Sequence, residues 1–231
     1  MREELDKLKN MDAGHKLGYI WDYYKVYIIA AVVIIIAVTS MIHTRLTTKK
    51  VVLKVAMLDS QAYYASDSSL LDGFAGSLQG FDEEKERIVV DASYNSGLGG
   101  QVGFAFMEKI VADYSAGIID ATIAPREDIL KYAEHQAYGD LKQLLPADLY
   151  AGIEDMGCDF IFYTYEDPAT GEKHEYPAAV NISGSDAIKA GFTDMEGNIR
   201  AFYDTDCYYA ISPDTPNTDN CIAFLRYLLE Q

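Results

Sequence analysis

Gly97-Leu98-Gly99-Gly100-Gln101-Val102-Gly103 is the run in this chain that looks most like chemistry. Glycines between a strand and a helix let backbone N–H groups close on a phosphate. The spacing fails as a dinucleotide fingerprint, because G-x-G-x-x-G needs glycine where Val102 stands. The run therefore reads as a flexible loop that could still cup an anionic or polar ligand at a helix start. Other candidates are weaker. G-x-S-x-G, H-E-x-x-H and S-x-x-K do not occur after the apolar run, and His15, His135 and His174 have no partners at metal-ligand spacing. Asp204-Thr205-Asp206 lacks the further oxygens and the glycine of a calcium loop and reads as a polar turn. The expectation is a non-catalytic chain with no cofactor and no metal.

Cys158, Cys207 and Cys221 are the three cysteines, widely spaced and without C-x-x-C, which excludes a zinc or thioredoxin-type site. Two readings stand for them: three small buried hydrophobes, or a Cys207–Cys221 bridge between a strand and the following helix. Of the eighteen tyrosines several cluster, at Tyr63 and Tyr64, Tyr163 and Tyr165, and Tyr208 and Tyr209, as half-buried sheet residues do. The single tryptophan, Trp21, lies beside the apolar run instead.

The elements that must position these residues begin with that run. Val26 to Thr44 contains no Lys, Arg, Asp or Glu, and at helical rise covers roughly 28 Å, the thickness of a bilayer core. Tyr23, Tyr24 and Tyr27 join Trp21 at its near end, where amphipathic rings sit at headgroup level. It reads as an uncleaved signal anchor, with residues 1–25 a cytoplasmic tail, 26–44 the span through the lipid bilayer, 45–50 a stalk and 51–231 one domain. Lys and Arg flank the span on both sides, so orientation rests on the size of the following domain: N-terminus in, domain extracytoplasmic. That domain carries 11 Lys plus Arg against 31 Asp plus Glu, which excludes nucleic acid as a partner.

Strand and helix then alternate. Val51–Leu58 is a nearly continuous apolar run of strand length, and Ser69–Leu78 has the period of a helix. Arg87–Ala92 is a second strand, followed by a helix carrying Met107, Ile110, Val111 and Tyr114; Ile118–Ala124 is a third strand. Pro125 at a first helical position, with Glu127 and Asp128 in the first turn, opens the next helix. This order predicts an α/β fold with a parallel sheet. Turn residues 167–171 then join strands Phe160–Tyr165 and Lys173–Tyr176, and Asp194–Asn198 joins Phe192 to Arg200–Tyr203. Cys207–Ile211 reads as a strand, and Asn217 or Thr218 caps a helix with Cys221, Phe224, Leu225 and Leu228 inward.

Residues 107–146, MEKIVADYSAGIIDATIAPREDILKYAEHQAYGDLKQLLP, resemble extracellular solute-binding proteins of the type II periplasmic-binding fold. Residues 207–230, CYYAISPDTPNTDNCIAFLRYLLE, resemble that family's return strand and following helix. With the anchor and YPAAVNISGS, the chain is similar to uncharacterised membrane-anchored proteins of Firmicutes that carry one such domain. The resemblance implies an α/β lobe with a parallel or mixed sheet and hairpin insertions. It departs from the family in the second lobe, for which at most about 60 residues, 158–217, are left. Ligands of open α/β sheets sit beyond the carboxyl ends of the strands, which points to Asp59, Ser60, Tyr94, Asn95, Ser96 and Arg126. The expected function is binding or scaffolding at the membrane, for a small solute or peptide. The alternative is a structural subunit that meets a permease or another envelope protein.

Overall fold

The computed structural model describes residues 13–64, 70, 73–78, 80–166 and 170–230. The chain divides into residues 1–49 and 50–231. In the first unit one helix, α1 (Ala13–Thr47), contains an 18-residue stretch, Tyr24–Met41, of mean hydropathy 2.1 with none of it buried. Its length and apolar surface fit a single-pass membrane anchor or a signal sequence. The helix continues through Thr47, so the first half of the expected stalk is helical, and Lys50 already belongs to the first strand. The first twelve residues of the expected tail lie outside the described residues.

The second unit is α/β. In chain order it holds β1 (Lys50–Leu58), the short α2 (Phe74–Ser77), β2 (Glu86–Tyr94), α3 (Gly100–Ser115), β3 (Ala121–Pro125), α4 (Arg126–Ala133), α5 (Leu141–Leu144), α6 (Ala147–Asp155), β4 (Phe160–Glu166), β5 (Lys173–Asn181), α7 (Asp186–Lys189), a small hairpin of β6 (Phe192–Thr193) and β7 (Ile199–Arg200), β8 (Cys207–Ile211) and α8 (Thr218–Leu229). One six-stranded sheet runs β2-β1-β3-β8-β5-β4. β1 is parallel to β2 and β3, whereas β8 is antiparallel to both of its neighbours, β3 and β5, and β4 is antiparallel to β5. The sheet is therefore mixed, and β1, β2, β3 and β5 all point their carboxyl ends the same way.

The strand period sorts side chains into two cores. Leu53, Val55 and Met57 of β1 pack with Phe224, Leu225 and Leu228 of α8 on one face. Ala56 and Leu58 pack with Ile110 of α3 and Ile129 of α4 on the other. Such burial on both faces is why Val51–Leu58 lacks polar alternation.

Several expectations are corrected. β3 starts at Ala121 because Asp120 is buried at its amino end, and Ile118 is left exposed in the loop before it. Pro125 closes β3, and the helix begins one residue later. In α3, Ile110 is buried but Met107 and Val111 are exposed. Of the helix expected over Ser69–Leu78, Phe74–Ser77 is α-helical among the described residues; Ser69, Leu71 and Asp72 lie outside them, as does the turn at 167–169. All three cysteines are free thiols, and Cys221 lies against the Asp120 carbonyl at 3.6 Å, which removes the Cys207–Cys221 bridge.

Candidate functional site

Strand order reverses around β1 and β3: β1 leads to β2 on one side, and β3 leads toward the strands on the other. Crevices at such switch points are where open α/β sheets hold ligands. Here the residues leaving the two strands bring two carboxyl groups together, Asp59 after β1 and Asp128 in the first turn of α4. Asp59 turns the chain with φ 49°, a left-handed conformation that Asp tolerates better than most residues. Its carboxylate accepts from the Ser96 N–H at 2.5 Å, the Ser96 hydroxyl at 2.7 Å and the Gly97 N–H at 3.1 Å.

The glycine run thus cups an anion, but the anion is the chain's own Asp59. Gly99 and Gly100, at φ 67° and 59°, supply the left-handed turn that carries the loop into α3. Asp128 has its pKa raised to about 6, first by burial and then by the charge of Asp59 beside it. Tyr132, one turn further along α4, is 2% exposed, and its hydroxyl has no hydrogen-bond partner. Burial raises that phenol to about 12, and the charges of Asp128 and Asp59 add to the effect. Because its hydroxyl forfeits no bond, Tyr132→Phe is expected to leave stability unchanged or raise it by less than about 1 kcal/mol in urea unfolding.

The other expected residues are placed differently. Ser60 is fully buried; its hydroxyl donates to the Phe202 carbonyl at 3.1 Å and accepts from the Ala62 N–H at 3.2 Å, fastening the loop after β1. Tyr94 is also fully buried. Its hydroxyl donates to Asp113 at 2.6 Å, and the Lys109 ammonium lies 3.8 Å from its ring centroid, so the phenol is committed to α3. Neither can reach a ligand at the sheet end. Asn95 is half-buried just before the turn at Ser96–Leu98 and makes no cap bond.

Arg126 stands on the rim, half exposed, at 3.5 Å from the Asp159 carboxylate, which also accepts from the Tyr208 hydroxyl at 3.2 Å. Neither Asp159 nor Asp128 stands out in the sequence as a site residue. Asp128 had an ordinary explanation as an acidic residue in a first helical turn. Asp159 reaches the rim only because β4 starts where β5 ends, a pairing in which the Asn181 N–H donates to the Asp159 carbonyl at 2.7 Å.

Chemically the rim offers two neighbouring carboxyl groups, a guanidinium and several hydroxyls. No group of three or more His, Cys, Asp or Glu suited to a metal ion occurs among the described residues. At the opposite end of the sheet a recess of about 340 Å³ lies between α3 and the end of α4, with His135, Gln136, Ser212 and Asp214 on its wall. None of the six expected residues lines it. Comparison with protein-family models, curated proteins and solved structures gives no match.

Proposed function

We propose that this chain is a membrane-tethered, extracytoplasmic binding or scaffolding domain without catalysis, built like one lobe of a type II solute-binding protein. The observation that carries the reading is the Asp59–Asp128 pair at the β1–β3 switch point, with Arg126 beside it on the same rim. Support for the architecture comes from β8, which lies antiparallel between β3 and β5 and leads into α8, as the resemblance to a return strand and its helix implies.

The test uses the full chain in detergent micelles, titrated with sugars, amino acids and short peptides while its melting temperature is followed. A solute well above its Kd must raise that temperature, and the rise should shrink in Arg126→Ala and Asp128→Asn. No shift with any of these solutes would sink the solute reading. Topology is tested separately. Protease added to wall-stripped cells should digest the chain beyond Arg45; full protection would place the acidic domain inside.

A second reading, a structural subunit that meets a permease or envelope protein, is favoured by one feature. Phe104, Met107 and Val111, three and four residues apart on α3, are exposed and form an apolar stripe. Crosslinking in intact membranes that returned only monomer would count against this role.

A further inference from the structure

Two helices end at the recess of about 340 Å³ on the amino side of the sheet. α3 is closed by Gly117 at φ 62°, and the Ile118 N–H then donates to the Asp113 carbonyl at 2.9 Å. α4 is closed in the same left-handed way by Gln136 at φ 57°, with the Ala137 N–H donating to the Tyr132 carbonyl at 3.3 Å. Glycine adopts that conformation freely, and glutamine does not. Closing the helix therefore does not account for Gln136, because glycine would close it with less strain. The Gln136 side chain is exposed and makes no hydrogen bond among the described residues, so the fold gains nothing from it in return.

Two more side chains on the same wall are equally unspent. His135, and Asp214 in the loop after β8, are exposed and make no side-chain hydrogen bond or ion pair among the described residues. No Lys or Arg lines the recess among the described residues, so the Asp214 carboxylate has no cation beside it there. The ends of α3 and α4 add the negative poles of two helix dipoles. Val111, 49% exposed, supplies an apolar strip on the wall. A recess this rich in acceptors suits a small cation with several N–H donors, and the acidic field of the domain draws such a cation in.

We propose that this recess is a binding site for alkylguanidinium compounds, the guanidinium donating to the Asp214 carboxylate and the Gln136 amide oxygen, with the alkyl chain laid along Val111. A guanidinium suits it better than an ammonium because its planar fork serves two separate acceptors at once. The site lies at the opposite end of the sheet from Asp59 and Asp128 and stands apart from the solute reading of the switch point.

His135 reports occupancy directly. The full chain in detergent micelles is treated with diethyl pyrocarbonate in the presence of n-butylguanidinium chloride or its neutral isostere n-butylurea, at equal ionic strength. Carbethoxylation of His135 is followed by peptide mass spectrometry, and His174, exposed on the β4–β5 hairpin, serves as the internal control. n-Butylguanidinium is expected to slow modification of His135 to a plateau and to leave His174 unchanged, and n-butylurea to protect neither.

Asp214→Asn and Gln136→Gly should each raise the half-protecting concentration about tenfold, the effect of losing one charge-assisted hydrogen bond. Neither side chain bonds to the rest of the described chain, so both variants keep the fold. Gln136→Gly is expected to unfold at a higher urea concentration than the parent while binding more weakly, a split that a structural role for Gln136 does not produce. Equal protection by n-butylurea, His174 slowed as much as His135, an unchanged half-protecting concentration in either variant, or no protection by n-butylguanidinium would overturn the proposal. The solute screen is read through melting temperature and through Arg126 and Asp128 at the other end of the sheet, so failure of one experiment does not mimic failure of the other.

Discussion

Asp120→Ala is expected to destabilise the folded domain by about 3 to 5 kcal/mol, a large part of what holds a domain of this size together. Asp120 is 3% exposed at the amino end of β3. Its carboxylate accepts from the Lys54 N–H at 2.7 Å, from the Thr215 hydroxyl, and from the Asn217 amide at 3.1 and 3.2 Å. Its backbone carbonyl accepts from the Ser212 N–H at 2.9 Å. One side chain therefore ties β1, β3 and the loop from β8 into α8. Alanine would strand several buried donors at once, each costing on the order of 1 to 3 kcal/mol before relaxation. Asp120→Asn keeps an acceptor for Lys54 but sets one amide against that of Asn217, so an intermediate loss is expected. Urea unfolding of the full chain in detergent, followed by near-UV circular dichroism of the tyrosines, measures both. An Asp120→Ala midpoint equal to that of the parent chain would remove Asp120 from this role.

The same residue shows where sequence reading stopped. Within IIDATIA the apolar run outweighs one acid, so the strand is drawn three residues too early; the donors that bury Asp120 come from Lys54 of β1 and from the loop 212–217, nearly a hundred residues away. β1 and α8 were legible because their local pattern is unambiguous: a run buried on both faces, and apolar residues at helical spacing behind a cap. The insertion of β8 between β3 and β5 was not, since strand order depends on pairings that no local period records. The rule that places ligands beyond strand carboxyl ends brought Asp59, Ser96 and Arg126 to the rim. Ser60 and Tyr94, which it also named, turn their side chains inward to Phe202 and Asp113.

The domain should also respond to pH through Asp128, in the sense opposite to an ordinary salt-bridged acid. Burial and the neighbouring Asp59 raise its pKa from 3.8 to about 6, so between those values the folded chain binds a proton that the unfolded chain has released. The stability that proton contributes is fully present below about pH 4, falls as pH rises through this window, and is gone above about pH 6.

The groups facing Asp128 set the balance. Asp59 repels its anion from the end of β1, Glu127 does so from its own turn, and Lys131 favours it from one turn on. The Ser96 and Gly97 N–H groups donate to Asp59 from the loop that leads into α3. Asp128→Asn removes the repulsion and keeps the shape. At pH 7 it is expected to raise stability by about 1 to 2 kcal/mol, a figure reduced for the partial exposure of the group.

Other carboxylates work the other way. Asp148, held below its usual range by the hydrogen bond from Arg226, loses its contribution on acidification. The quantity to measure is therefore the difference between parent and variant, in urea midpoints at pH 5 and pH 7. The variant's advantage should be large at pH 7 and shrink at pH 5. An advantage equal at the two pH values, or a variant less stable at pH 7, would show that the Asp59–Asp128 pair does not share a proton.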